Sequence, residues 1–476
     1  MTKNPTITKG DLVDLEVEKL AFGGQAVTRH GDFIVFIDGA LPGQKVRARI
    51  VKKKKNHAVA KTTEILRQSP AWVTPACAHF DNCGGCTFQH LAYEEQLRNK
   101  QQQVVETLQR LGGLDGFRIL PAIPSPDVFY YRNKMEFTFS RHRWLTEDEI
   151  ASSASLQKHG LFLGLHARGF FDKIVDVHDC RLLAPFANDI LRTVRAFAQE
   201  SGLPAFSTHD HTGFWRFVVI RHAKFTNEIM VNLIASEFDG KIADSFRALM
   251  TQKHPEISSL IYGVTKSKAN VAFTEGETLL AGKSVITEKI GEYGFEISPN
   301  SFFQTNTRGA QKLYDAIMDF AGFKANDNVY DLYSGAGTIA IYASKRVGNV
   351  TCFEAIPAAV NDAKRNAELN QVKNCTFILG DLKDALAETE SVMQKYGKPD
   401  VIIIDPPRSG MHPRTVQAVL NLLPGKIIHV SCNPATLARD LKILCEKDYA
   451  LSKIQAVDMF PHTAHIEVVA QVLRKW

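Results

Sequence analysis

The chain opens on a strict alternation of apolar and charged positions. Val13, Leu15 and Val17 interleave with Asp14, Glu16 and Glu18, and Val46, Ala48 and Ile50 interleave with Lys45, Arg47 and Arg49. A period of two predicts strands with one face in a core and one in water. Turn residues at Gly23-Gly24, His30-Gly31-Asp32 and Pro42-Gly43 punctuate them. Several short strands in so little chain predict a small OB-like barrel over residues 1–67, an architecture that commonly binds nucleic acid. The period then changes. Val104, Val105, Leu108 and Leu111 fall at helical spacing within a Gln-, Glu- and Lys-rich stretch, and Gly112-Gly113 follows, which predicts a connecting helix over Leu91–Leu111. Apolar runs at Phe129–Phe139, Arg216–Arg221, Glu228–Ala235 and Leu260–Val264 predict further strands, and the polar stretch Ser140–His159 predicts a loop. Residues 68–296 therefore read as a mainly β central domain. From about 300 onward, helical patterns alternate with short apolar strands, which predicts a Rossmann-like α/β domain with a parallel sheet over 297–476.

Composition bounds this picture. At 476 residues and 45% hydrophobic content the chain has ample core for two or three domains. No apolar run approaches the roughly 20 residues that span a bilayer, and no apolar signal segment follows Met1, so no membrane is expected and a cytoplasmic location is. A monomer is the expected state. Charge is unevenly placed. Residues 1–68 carry 13 Lys and Arg against 7 Asp and Glu, and the rest of the chain is balanced. A basic module with the run Lys52-Lys53-Lys54-Lys55 suits a polyanion, although such a run also serves as a solvated loop between strands.

The eight cysteines, in a chain with no secretory signal, point to thiolate chemistry or metal ligation rather than disulfides. Cys77, Cys83 and Cys86 form C-x5-C-x2-C around Gly84-Gly85, and Cys180 lies further on. Four such thiols suit zinc or an iron-sulfur cluster, and softness alone permits both. Cys352, Cys375 and Cys445 carry no motif and read as core residues.

The α/β part supplies the remaining chemistry. The run Asn328–Leu332 enters the turn Tyr333-Ser334-Gly335-Ala336-Gly337 ahead of a helix, where a ligand can approach the backbone closely. Glu354, Asp381 and Asp405 each end an apolar strand. Carboxylates at the carboxyl ends of parallel strands face the ligand crevice, where they can accept from ribose hydroxyls and an exocyclic amine. The turn lacks the third glycine of a dinucleotide fingerprint, which favours S-adenosylmethionine, a nucleoside without pyrophosphate. Finally, Ser431-Cys432-Asn433-Pro434 sets a thiol at the tip of the strand Lys426–Val430.

Phe302-Phe303-Gln304-Thr305-Asn306, Asp331–Thr338, Asp405-Pro406-Pro407-Arg408, Ser431–Pro434 and His465-Ile466-Glu467 resemble the RNA uracil-C5 methyltransferase family over almost the whole chain. The barrel resembles a TRAM domain. With C-x5-C-x2-C, the chain is similar to the subgroup that makes 5-methyluridine in 23S ribosomal RNA and carries a 4Fe-4S cluster. The resemblance implies that Cys77, Cys83, Cys86 and Cys180 hold that cluster. It implies that Gln304, Tyr333, Gly335, Glu354, Asp381 and Asp405 line the S-adenosylmethionine and uracil sites, that Cys432 is the nucleophile, and that Glu467 is the general base. The residue types fit the chemistry independently. C5 of uracil is too weak a nucleophile unaided, and addition of a thiolate to C6 turns the ring into an enolate reactive at C5. A base must then take the C5 proton, and Glu467 is placed for this if its strand returns beside that of Cys432. The target must be single-stranded or flipped. Phe302 and Tyr130-Tyr131-Arg132 are candidates to replace its lost stacking. His462 and His465 read as spectators. Transfer RNA as the substrate, an exocyclic-amine methyltransferase and a non-catalytic RNA-binding iron-sulfur protein are the competing readings.

Overall fold

The computed structural model describes residues 7–31, 33–152, 159–170 and 172–475. The first segment forms a six-stranded sheet whose order is Leu12–Glu16, Lys45–Lys53, His57–Arg67, Phe33–Asp38, Ala26–His30 and Lys19–Leu20. All neighbours are antiparallel except Phe33–Asp38 with His57–Arg67. Between the first two strands of the chain, Val17 N–H donates to the Gln44 carbonyl at 2.9 Å and Glu18 N–H to that of Val27 at 3.2 Å. The same short segment thus touches both ends of the sheet and curls it on itself. The alternation explains the packing: Val46, Ala48 and Ile50 are buried inside, and Arg47 on the outer face pairs with Asp14 and Glu64. Lys52–Lys55 are exposed where the strand ends and turns.

A seven-stranded sheet follows, in the order Ile174–Asp176, His159–His166, Lys134–His142, Trp215–His222, Ile229–Ala235, Ser259–Val264 and Gly276–Gly282. Helix Pro185–Glu200 buries Ile190, Leu191 and Val194 in the same core as this sheet. The strand predicted from Phe129 begins only at Lys134, because Tyr130 adopts a left-handed φ of 55° and the backbone N–H groups of Tyr130 and Arg132 bond to the carbonyls of Arg181 and Leu182. The predicted loop Ser140–His159 instead carries the end of that strand to His142 and the helix Glu147–Ala151, with 153–158 outside the described residues.

The third sheet has eight strands in the order Cys375–Leu379, Asn349–Glu354, Asn328–Leu332, Val401–Ile404, Lys426–Ser431, Glu467–Arg474, Tyr449–Val457 and Arg118–Ile123. The first five are parallel, and Glu467–Arg474 runs antiparallel between Lys426–Ser431 and Tyr449–Val457. Strand side chains alternate between two helical layers. Val401 and Ile403 meet helix Thr307–Ala321, whereas Ile402 and Ile404 meet helices Pro413–Leu422 and Pro434–Leu444. The strand order reverses between Asn328–Leu332 and Val401–Ile404, which opens a crevice at their carboxyl ends.

The boundaries read from the sequence at 67/68 and 296/297 need one correction. Strand Arg118–Ile123 pairs with Tyr449–Val457 at the edge of the third sheet, and helix Tyr93–Arg110 buries Val104 and Leu108 in that sheet's core. Both lie within 68–296, yet they complete the α/β domain. Among the described residues, no helix is long and apolar enough to cross a membrane.

Candidate active site

The antiparallel return of the last strand decides the site. Ser431 registers against Val468, so one step further Cys432 at the tip of its strand stands across from Glu467 at the start of its own. Glu467 is buried, and burial together with the neighbouring Asp405 carboxylate pushes its carboxyl well above the ordinary value. Burial raises the Cys432 thiol to about 11, with Glu467 and Asp405 adding to the rise and a hydrogen bond and charge from Arg408 opposing it. Asp405 is pushed up to about 6 by burial, with His429 pulling the other way. These effects act over short range, so Cys432, Glu467, Asp405 and Arg408 form one cluster. The motif Asp405-Pro406-Pro407-Arg408 delivers two of its members. Arg408 is anchored through its carbonyl, which accepts from Asn433 Nδ2 at 3.0 Å, so the two motif loops hold each other.

The turn before Glu467 is held from several directions. Lys100, buried on helix Tyr93–Arg110, donates to Asp458 Oδ1 at 2.8 Å and to the Phe460 carbonyl at 3.0 Å. Gln96 Oε1 accepts from His462 N–H at 2.8 Å, and the His462 carbonyl accepts from the N–H groups of Thr87 and Phe88. His462 therefore buttresses the turn, and His465 lies 3.4 Å from Arg408.

The crevice carries the features of a nucleoside site. Gly335 has φ +52° with open space where a Cβ would stand, whereas a Cβ on Gly337 would meet Phe377 at 2.9 Å. One glycine leaves room for a ligand and the other lets the helix pack. Glu354 accepts from Gly335 N–H and Ile356 N–H, each at 2.9 Å, which fixes its carboxylate beside the turn. Tyr333 takes a left-handed φ of 63°. Asp381 is exposed and paired with Lys383 at 2.9 Å, which holds its carboxyl below the ordinary range. The Gln304 carbonyl accepts from Asn133 Nδ2 at 2.8 Å, and Phe302 beside it is 72% exposed.

Three features take their meaning only from the fold. Asp331 is fully buried with neither carboxylate oxygen in good hydrogen-bond geometry, and burial with Asp405 and Glu354 nearby pushes it well above the ordinary value against a lesser pull from the Ala340 backbone. An orphaned carboxyl under the glycine turn suits a ligand bearing donors. Ile356 and Leu379 are large apolar side chains left exposed beside the acidic strand ends. Arg408 was visible only as part of its motif. The buried carboxyl and the open glycine turn fit S-adenosylmethionine as ligand.

Away from the crevice, Cys77, Cys83, Cys86 and Cys180 line one tight cleft of about 20 Å³, and all are free thiols. Gly85 N–H points at Cys83 Sγ at 3.4 Å and Gln89 Nε2 at Cys86 Sγ at 3.2 Å. Burial and mutual proximity raise Cys83 to about 11 and Cys86 to about 12. Such thiols ionise when a cation compensates them. Among the described residues, no three His, Cys, Asp or Glu side chains are grouped to hold a single metal ion.

A doubly wound sheet with an antiparallel last strand, a glycine turn and acid-tipped strands defines an S-adenosylmethionine-dependent methyltransferase. Comparison with known proteins narrows this. The family model for tRNA (uracil-5-)-methyltransferase matches residues 286–475. The chain is 39% identical over 468 residues to an RNA methyltransferase of Chlorobaculum tepidum, covering 97% of this chain and 96% of that one. It is 38% identical over 468 residues to one of Porphyromonas gingivalis, covering 97% and 99%. The crystal structure of the Pyrococcus abyssi tRNA (uracil-54, C5)-methyltransferase with S-adenosyl-L-homocysteine superposes with a TM-score of 0.75 at 30% identity, covering 97% of this chain and 100% of that one. The chain belongs to the RNA (uracil-5-)-methyltransferase family.

Proposed function

We propose that this protein methylates C5 of a specific uridine in 23S ribosomal RNA through a covalent bond between Cys432 and C6. The observation that carries the reading is the placement of Cys432 across from Glu467 with Arg408 beside both. Cys432, ionised with the help of Arg408, adds to C6 and moves the ring electrons toward C5 and the O4 enolate. S-adenosylmethionine supplies an electrophilic methyl group, which C5 accepts. Glu467 as carboxylate then takes the C5 proton, and the electron pair left behind expels the Cys432 thiolate. The raised affinity of Glu467 for a proton makes it a stronger base than an exposed glutamate. Asp405 and Gln304 border the uracil edge, while Tyr333, Gly335, Glu354 and Asp381 surround the methyl donor.

The four thiols Cys77, Cys83, Cys86 and Cys180 hold a 4Fe-4S cluster in this reading. Their shared cleft and the N–H donors aimed at sulfur support it, and a cluster needs its thiols further apart than one ion does. Holding such a group, Cys77, Cys83 and Cys86 would be tied to Cys180 in the loop before helix Pro185–Glu200, a structural role that would help position RNA. The barrel is a TRAM-type RNA-binding module, and the protein works as a cytoplasmic monomer. A transfer RNA substrate is the second reading, favoured by the likeness to the Pyrococcus abyssi enzyme. Methylation of ribosomal and transfer RNA from cells lacking the protein, mapped by nuclease digestion and mass spectrometry, tests both. Label in 23S RNA at C5 of one uridine supports the first reading, label in transfer RNA the second, and label on an exocyclic amine defeats both.

A further inference from the structure

Strand Trp215–His222 carries two arginines that are each only 3% exposed, Arg216 and Arg221. Neither spends its donors on a carboxylate. Arg221 Nη2 donates to the carbonyls of Pro299 at 3.0 Å and Ser301 at 2.7 Å. Arg216 donates to the carbonyls of Ser267 at 2.8 Å and Ala269 at 2.9 Å, with its guanidinium 3.9 Å from the Phe206 ring centroid. Burying a guanidinium costs several kcal/mol unless its surroundings compensate. Here two such groups are used for one purpose, to clamp two loops.

The loops are also tied to each other. Asn300 Oδ1 accepts from Thr274 N–H and Oγ1, each at 3.1 Å, and Asn300 Nδ2 donates to the Thr274 carbonyl at 2.9 Å. Immediately beside these anchors the two loops present phenylalanines to water, Phe302 at 72% exposure and Phe273 at 55%. Val271, two residues before Phe273, is exposed as well, and Lys266 and Lys268 lie on the same loop. Rigidly held backbone under exposed aromatic rings is unfavourable for folding alone, but it is what a stacking surface for unpaired bases needs.

We propose that Phe302 and Phe273 form one two-ring platform, with Phe302 at the target uridine and Phe273 stacking on a neighbouring unpaired base. The occupant is single-stranded RNA. Continuity with the Gln304 loop and the cationic Lys266 and Lys268 favour it over a protein partner. The inference rests on the reading that the Phe302–Gln304 loop borders the target base.

The test measures binding of a short labelled oligouridylate, and of the same sugar-phosphate chain made abasic, to the full-length protein. The wild type should bind the oligouridylate more tightly than the abasic chain. Phe273→Ala should weaken oligouridylate binding by about 5- to 150-fold, the span that one base-aromatic stack supports, and leave abasic binding and S-adenosyl-L-homocysteine binding unchanged. Phe273→Trp should restore the preference. Equal binding of both chains by the wild type, an unchanged affinity in Phe273→Ala, or the same loss on both chains overturns the platform. Phe302→Ala separates the two levels. If it weakens oligouridylate binding and Phe273→Ala does not, the second ring is wrong but the loop assignment stands; if neither variant matters, the loop assignment falls too.

Discussion

Replacing Arg408 with Met tests how the nucleophile is activated. Arg408 opposes the two carboxyls that raise the Cys432 thiol, both by its charge and by a hydrogen bond to the sulfur. A hydrogen bond to a charged partner contributes about 1.5–3 kcal/mol. Cys432 is only half-buried and Arg408 is largely exposed, so solvent screening places this pair at the lower end, about 1.5 kcal/mol. At about 1.4 kcal/mol per pKa unit, the thiol should rise by about one unit. Below its pKa the thiolate fraction then falls about tenfold, and kcat/KM should fall with it. The sign is fixed by chemistry: the reactive form is the thiolate, so the loss should be recovered as pH rises and the ascending limb of the profile should move up by about one unit. The assay is the pH profile of methyl transfer to RNA, together with the rate of adduct formation on 5-fluorouridine RNA. An Arg408→Met enzyme with an unmoved limb, or with a loss that is the same at every pH, would refute the assigned role.

Glu467→Gln keeps the nucleophile and removes the base, so enzyme and unmodified RNA should accumulate as a covalent, methylated complex on a denaturing gel; turnover within tenfold of wild type contradicts this. Asp405 has a folded-state pKa of about 6 against an ordinary 3.8, so its ionisation costs stability as pH rises through that window and costs nothing below it. Asp405→Asn should therefore be more stable than the parent by up to about 3 kcal/mol above pH 6, by denaturant midpoint, with the gain gone near pH 4, while methyl transfer is lost. Lys100→Met strands the buried Asp458 carboxylate and should cost about 3–5 kcal/mol, read as a lowered denaturant midpoint that Lys100→Met with Asp458→Asn largely restores.

Motifs at strand tips were the legible part. Cys432, Asp405 and Glu354 follow apolar runs so directly that their place at the crevice can be read from spacing, and the antiparallel strand that brings Glu467 back is found as expected. What could not be read depends on pairing across long sequence distances. Strand Arg118–Ile123 looks like part of the central domain because nothing local says that its partner lies at Tyr449–Val457. Pro121 in its middle was the available signal, since proline sits on sheet edges. Helix Tyr93–Arg110 hides its docking face, because Gln96, Lys100 and Gln103 are buried there among the apolar residues, with Gln96 and Lys100 bonded to the turn before Glu467. Asp331 was visible as a charge inside an apolar strand, yet only the fold shows that neither of its oxygens is in good hydrogen-bond geometry. Arg216 and Arg221 read as strand cations, and their carbonyl clamps need coordinates.

The account stands on a bond between one sulfur and one pyrimidine carbon. The most direct measurement is peptide mapping by mass spectrometry after incubating the enzyme with 5-fluorouridine RNA and S-adenosylmethionine. The fluorine blocks proton removal, so the complex should stall after methylation. The predicted result is a single modified peptide with a methylated fluorouridine nucleotide on Cys432, formed with one equivalent of S-adenosyl-L-homocysteine and absent in Cys432→Ala. Product release without any adduct, or an adduct on another residue, would contradict it.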